Sequence, residues 1–186
     1  MELIGKKVIL RAVEEADCEM LRQMTNDPFF ESRIVGWSFP ISKTAQEDWF
    51  RRCCANALDH VRYVIATPEC GAIGLTGLRD IDWKNREATG FGIRIARKDL
   101  HGKGLGTDAY MTLLRFAFDE LNLNRINGSA LAENLVSIKM MQKVGYKIEG
   151  TKRQAVYKGG TYHDVVTLAV LKEDYELVVE KTGYWG

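Results

Sequence analysis

The run His101-Gly102-Lys103-Gly104-Leu105-Gly106-Thr107 sets three alternating glycines between a β-type segment and a long apolar helix pattern. Glycine takes positive φ and lets backbone approach a ligand with no Cβ in the way. A helix that opens just after such a run aims its unpaired N–H groups at one spot, with the positive end of its dipole behind them. That arrangement suits an anion, phosphate most naturally, and Lys103 adds charge at the rim. Two familiar phosphate loops are excluded. GxxxxGK[ST] is absent, and Gly106 falls one place early for GxGxxG. The preceding strands also read as antiparallel, against the parallel βαβ setting of a dinucleotide fingerprint.

Other reactive groups form no site by spacing. Cys18, Cys53, Cys54 and Cys70 make no CxxC, and no metal-ligand pattern with His60, His101 and His163. Reduced thiols in a cytoplasmic protein are expected, with no metal. A formal charge of +1 and the lack of a Lys/Arg run argue against nucleic acid. No apolar run approaches the roughly 20 residues that span a bilayer, and the first residues lack a signal-peptide core. No membrane partner is expected. A length of 186 residues predicts one domain over 1–186.

The elements that hold the glycine run follow from pattern. Residues 7–12 read as a strand, and 14–25 as a helix that stops at Asn26-Asp27-Pro28. Ser42 or Thr44 is expected to N-cap a second helix, with Glu47 at capping-box spacing from Thr44 and an apolar stripe of Trp49, Phe50, Cys53 and Ala57. Strands are predicted at 62–67, 72–78 and 87–96, with a polar linker at 79–86. A helix at 107–121, a weak strand at 124–130 and a helix at 134–144 closed by Gly145 come next. A strand opens at 146–149, and residues 155–157 and 165–171 form a final hairpin about Gly159-Gly160. The sum is one α/β (α+β) domain around a mostly antiparallel sheet.

Three blocks resemble the GNAT superfamily of N-acetyltransferases. Its pyrophosphate loop, Q/R-x-x-G-x-G/A, is matched by residues 101–106, with His101 in place of Gln or Arg. Ala132-Glu133-Asn134-Leu135-Val136-Ser137-Ile138, then Gln142-Lys143-Val144-Gly145-Tyr146, looks like its N-x-x-S/A-x-x-x-x-x-K-x-G-F/Y run. Asp82-Trp83-Lys84-Asn85-Arg86-Glu87-Ala88 with Gly92-Ile93 is similar to the subgroup of ribosomal-protein N-terminal and spermidine acetyltransferases. Glu149-Gly150, Arg153, Gly160, Tyr162 and Asp164 fit it too.

The resemblance implies a single GNAT-like domain whose bent sheet splays between its fourth and fifth strands, flanked by helices. Acetyl-CoA would lie in the splay as acetyl donor. The backbone of residues 91–96, notably Ile93, Ile95 and Ala96, would pair with the pantetheine amides. His101, Gly102, Lys103, Gly104, Leu105, Gly106 and Thr107 would hold the pyrophosphate, and Asn134 and Ser137 would touch the pantetheine arm. The implied reaction is direct attack by a primary amine in a ternary complex. A coenzyme A-binding regulatory module with little turnover is the competing class.

Two catalytic positions of the family are changed here. Its helix Tyr corresponds to Met141 and its strand carboxylate to Thr89. Ser137, one helical turn before Met141, is a candidate to assist the leaving thiol. Asp82 and Glu87, with Asp80, are candidate bases, and a water chain is an alternative. Trp37, Asn85 and Tyr157 are candidates for the acceptor pocket, along with Phe39 and His163. Each of these residue types is equally at home in a solvated loop, a turn or a core. The acceptor stays open among a protein N-terminus, a polyamine, an amino sugar and a small-molecule amine, and so does a homo-oligomer.

Overall fold

Along residues 61–67 neighbouring side chains enter two different hydrophobic clusters. Ile65 joins one, and Val64 and Ala66 the other, as the two-residue period of a strand requires. That segment is the third strand of a nine-stranded sheet with a helical layer on each face. A computed structural model describes residues 2–36, 39–53 and 57–186.

In chain order the elements are β1 (Leu3–Ile4), β2 (Ile9–Arg11), α1 (Cys18–Asn26), α2 (Pro28–Glu31), α3 (Lys43–Cys53), β3 (Val61–Thr67) and β4 (Gly71–Asp82). They continue with β5 (Glu87–Gly90), β6 (Arg94–Ile95), α4 (Leu105–Arg115), β7 (Arg125–Leu131), α5 (Leu135–Lys143), β8 (Lys147–Lys158), β9 (Thr161–Leu171) and α6 (Lys172–Thr182). The strands lie in the order β1-β2-β3-β4-β5-β7-β9-β8, with β6 also on β4. On one face α4 contributes Ala109, Met111, Leu113 and Leu114 to a core shared with Ile65, Ile73, Ile126 and Leu168. On the other face Leu21 and Met24 of α1 and Phe30 of α2 cover Val64 and Ala66.

The sheet is mostly antiparallel, as the patterning predicts, but four details differ. β5 and β7 are parallel, with α4 as the crossover between them, so a parallel βαβ unit does frame the glycine run. The antiparallel hairpins before it had masked this. The first half of the polar linker expected at 79–86 is strand, since β4 reaches Asp82. The single strand expected at 87–96 is broken at 91–93, where Gly92 has φ +78°. Finally, α6 follows the last hairpin and was not foreseen. Its sequence KEDYELVVEKT buries Asp174 and Tyr175 and leaves Leu177 exposed, so its apolar stripe is weak.

One buried carboxylate fastens α4 in place. Asp108, 1% exposed, accepts from the N–H groups of Lys6 (3.1 Å), Lys7 (2.6 Å) and Val8 (2.9 Å), and from the Tyr184 hydroxyl (2.6 Å). Burial, and then the hydrogen bond to Asp108, push the Tyr184 phenol well above its usual range, so it stays a donor. Removing the carboxylate strands four donors, each worth about 1 kcal/mol or more. Asp108→Ala is expected to lower unfolding free energy by about 3–5 kcal/mol in urea titration. A change under 1 kcal/mol would show that water replaces the carboxylate.

Candidate active site

The two parallel strands pair at only three positions: Glu87 with Arg125, Ala88 with Ile126 and Thr89 with Asn127. After Thr89 they part. Residues 90–96 stay with β4, through Phe91 N–H to Gly77 O (2.9 Å), the Arg94–Leu75 and Ile95–Gly74 pairs, and Ala96 N–H to Ile73 O (2.7 Å). Residues 128–131 stay with β9. The sheet therefore splits, with one lip from each segment. Strand alternation turns the backbone of Ile93 and Ile95 away from β4 and toward the split. The Ile95 carbonyl meets His101 Nε2 at 2.9 Å. The Ile93 N–H has no protein acceptor among the described residues, whereas Ala96 has spent its N–H on β4.

One end of the split runs into the glycine loop. Gly102 and Gly104 have φ +78° and +81°, and Gly104 is the left-handed N-cap of α4. Among the described residues, the N–H groups of residues 102–107 donate to no protein acceptor. Six unspent donors at the mouth of an 11-residue helix fit a diphosphate. A β-carbon at Gly106 would come within 2.9 Å of Met140 Sδ, so this glycine lets α4 pack against α5. His101 stacks on Phe29 with ring centres 5.9 Å apart, pinning the loop from outside. Sequence reading assigned the rim charge to Lys103. The structure adds Lys7, whose Nζ donates to the Lys103 carbonyl at 3.0 Å. The two lie 96 residues apart, and no local pattern links them.

At the point of parting, Gly128 leaves room for two side chains. A β-carbon there would stand 3.0 Å from Tyr146 Cε1 and 3.1 Å from Met141 Sδ. Met141, at the family's Tyr position, is packed in the core at 2% exposure. Tyr146 is 3% exposed, and its hydroxyl stands 3.7 Å from where a β-carbon on Gly90 would be. Among the described residues that hydroxyl has no protein partner, and it is not sealed from solvent. Burial, then the neighbouring Tyr110, raise its pKa well above 10. By sequence, Tyr146 is placed at the opening of a strand and given no role in the chemistry. Tyr where Phe also serves was the available signal.

The other sequence-predicted residues are dispersed. Asn134 caps α5, accepting from Ser137 N–H (3.2 Å) and donating to the Arg33 carbonyl (3.1 Å). Ser137 is partly buried in the first turn of α5, and its hydroxyl has no protein partner among the described residues. Asp82 and Asn85 bond each other in an exposed turn, Asn85 N–H and Nδ2 reaching the carboxylate at 2.9 and 2.8 Å. Those two bonds hold the Asp82 carboxyl below its usual range. Glu87 accepts from Asn127 Nδ2 (3.2 Å) at the closed end of the split. Tyr157 is exposed on the β8–β9 hairpin against Tyr162, ring centres 5.0 Å apart. His163 meets Glu133 and the Lys158 carbonyl. Trp37 lies outside the described residues. Among those described, no group of three or more His, Cys, Asp or Glu is placed to hold a metal, and no helix is long and apolar enough to cross a membrane.

A cavity of about 400 Å³ lies on the α1–α3 face, against the lip made by Phe91 and Arg94. Leu21, Met24, Trp49 and Leu75 give it an apolar wall, with Gln46, Arg62 and Arg94 as its polar groups.

A sheet split beside a helix mouth of free N–H donors defines an acyltransferase that draws its acyl group from a coenzyme A thioester. The chain belongs to the GNAT acetyltransferases: residues 7–147 match the acetyltransferase (GNAT) domain. It is 28% identical to the putative ribosomal N-acetyltransferase YdaF of Bacillus subtilis, over 93% of this chain and 96% of that one. Its fold is similar to that of the Vibrio cholerae spermidine N-acetyltransferase solved with CoA and spermine. That match has a TM-score of 0.84 at 23% identity, covering 92% of this chain and 99% of that one. A probable acetyltransferase of known structure, 26% identical, gives a TM-score of 0.77 over 93% and 98% of the two chains. The protein is an acetyl-CoA-dependent N-acetyltransferase, with acetyl-CoA as the donor.

Proposed function

We propose that residues 1–186 act as one catalytic domain that moves the acetyl group of acetyl-CoA to a primary amine, by direct attack in a ternary complex. The observation that carries this reading is the split sheet ending on six unspent N–H donors at residues 102–107. Those donors, with Lys7 and Lys103 at the rim, hold the diphosphate. The free N–H of Ile93 pairs with the pantetheine arm, and Ser137 and Asn134 bound its far side. Acetyl-CoA supplies a thioester carbonyl that a neutral amine attacks.

The two faces of the sheet divide the proton work. Glu87 and Thr89 share the face of β5 opposite Ala88, which belongs to the α4-side core. Tyr146 belongs to that same α4-side core. An acceptor entering from the α1–α3 face reaches the carbonyl with Glu87 on its own side. Its N–C bond forms and the C–S bond breaks. The amine's proton passes to Glu87 through one water, and the departing sulfur takes the Tyr146 proton, which solvent restores. Asp82 is left out of this route, because its carboxylate is tied up by Asn85 in an exposed turn.

Thiol release from acetyl-CoA, followed with a panel of amines, tests the reading. Turnover with any one amine is expected, and hydrolysis without amine dependence would overturn it. Ser137→Ala separates binding from chemistry. Its hydroxyl contacts the pantetheine arm in this reading, so KM for acetyl-CoA is expected to rise about 5-fold with kcat held within twofold. A drop in kcat alone would move the acid role from Tyr146 to Ser137.

A further inference from the structure

Among the described residues, the Arg94 guanidinium has no hydrogen bond or ion pair to a protein group. It is partly buried in the wall of the 400 Å³ cavity, and burial alone draws its pKa below the usual range. Guanidinium stays charged in a protein, and a buried charge without a partner is costly. Gln46 repeats the pattern. It is 4% exposed and lines the same cavity, and among the described residues its side-chain amide has no protein partner, yet it is not sealed from solvent. Among the described residues, no carboxylate lines this cavity. Arg62 adds a second guanidinium, lying over the Phe91 ring at 4.9 Å and the Trp49 ring at 5.8 Å.

We propose that this cavity binds an acceptor carrying an anionic group, carboxylate or phosphate, in the same molecule as the amine that is acetylated. Arg94 takes the anion in a two-pronged charge-assisted contact. Gln46 donates to the same group or to an adjoining amide. Trp49, Phe91, Leu21 and Met24 take the apolar remainder, in a space sized for an amino acid or a short peptide end. The wall formed by Phe91 and Arg94 is also one lip of the split, so an anion held there leaves the amine facing the thioester. A polycation entering this cavity would meet the Arg94 guanidinium and, among the described lining residues, no carboxylate.

The inference rests on the acetyl-transfer reading and deepens it. The test uses the full chain loaded with coenzyme A. Calorimetry compares amino acids, dipeptides and O-phosphoethanolamine with the corresponding amides, ethanolamine and spermidine. Thiol release with acetyl-CoA is followed in parallel. Anionic amines are expected to bind about 100-fold more tightly than their neutral counterparts, the scale of one buried charge-assisted contact. Arg94→Met should bring that ratio near unity, with the acetyl-CoA affinity unchanged. Gln46→Leu should weaken the same ligands about 10-fold, an independent reading if Arg94→Met is poorly folded. A response to O-phosphoethanolamine alone would identify the anion as phosphate. Spermidine or the neutral amides binding as tightly as the anionic amines would overturn the proposal while leaving acetyl transfer standing. So would the absence of binding by every anionic amine to the coenzyme A complex. Failure of acetyl-CoA itself to bind would instead remove the donor assignment.

Discussion

Gly104→Glu is expected to abolish acetyl-CoA binding while the protein stays folded. Gly104 holds φ +81° at the N-cap of α4, where a residue with a β-carbon pays about 1–2 kcal/mol. The larger effect is electrostatic. A glutamate carboxylate would sit among the six N–H donors at 102–107 and act as a tethered rival of the diphosphate. Lys7 Nζ stands 3.3 Å from where the new β-carbon would be, so it would pair with the introduced charge and hold it in the cradle. Calorimetry should show the dissociation constant raised at least about 10³-fold, an order of magnitude suited to losing a charge-assisted network. Circular dichroism should report an unchanged helix content. Gly104→Ala isolates the backbone term and should cost far less affinity. Wild-type affinity in Gly104→Glu would remove the diphosphate from this helix mouth.

Tyr146→Phe should lower kcat by about 100-fold, the scale of a general acid, without changing the acetyl-CoA dissociation constant. The substitution keeps the ring packed against Gly128 and deletes one oxygen that has no protein partner among the described residues, so stability should hold. The sign of the pH dependence follows from burial. An acid acts while protonated and fails as pH rises through its pKa, which here lies well above 10. In the neutral range Tyr146 therefore contributes no alkaline limb, and the wild-type and Phe profiles should run parallel below pH 9, offset by the loss in kcat. A mutant with full kcat would confine Tyr146 to packing.

The parts of the fold that were legible in the sequence are those held by local physics. The glycine run, the apolar face of α4 and the Gly145 stop of α5 each need particular residues at fixed spacing. What escaped was decided by distant partners. Nothing near Lys7 announces that its ammonium closes a loop beginning at residue 102. The parallel pairing of β5 with β7 depends on a crossover, and hairpin-length connections on either side gave no hint of it. Residues 172–182 form α6 although few of their side chains are buried, so periodicity was a poor guide. Arg94 reads as the polar member of an alternating strand, which predicts exposure. Its burial arises from α1 and α3 closing over the same face. Glu87 was identified from its residue type, but its position beside Asn127 required the register of the parallel pair.

Asp108 sits one turn inside the helix that opens on the diphosphate cradle, and it collects donors from residues 6–8 and from residue 184. The grip on the donor is thus tensioned from segments at opposite ends of the numbering, as a drumhead is by its rim. Slack introduced at either segment would be transmitted to the anion without any change in the glycines themselves.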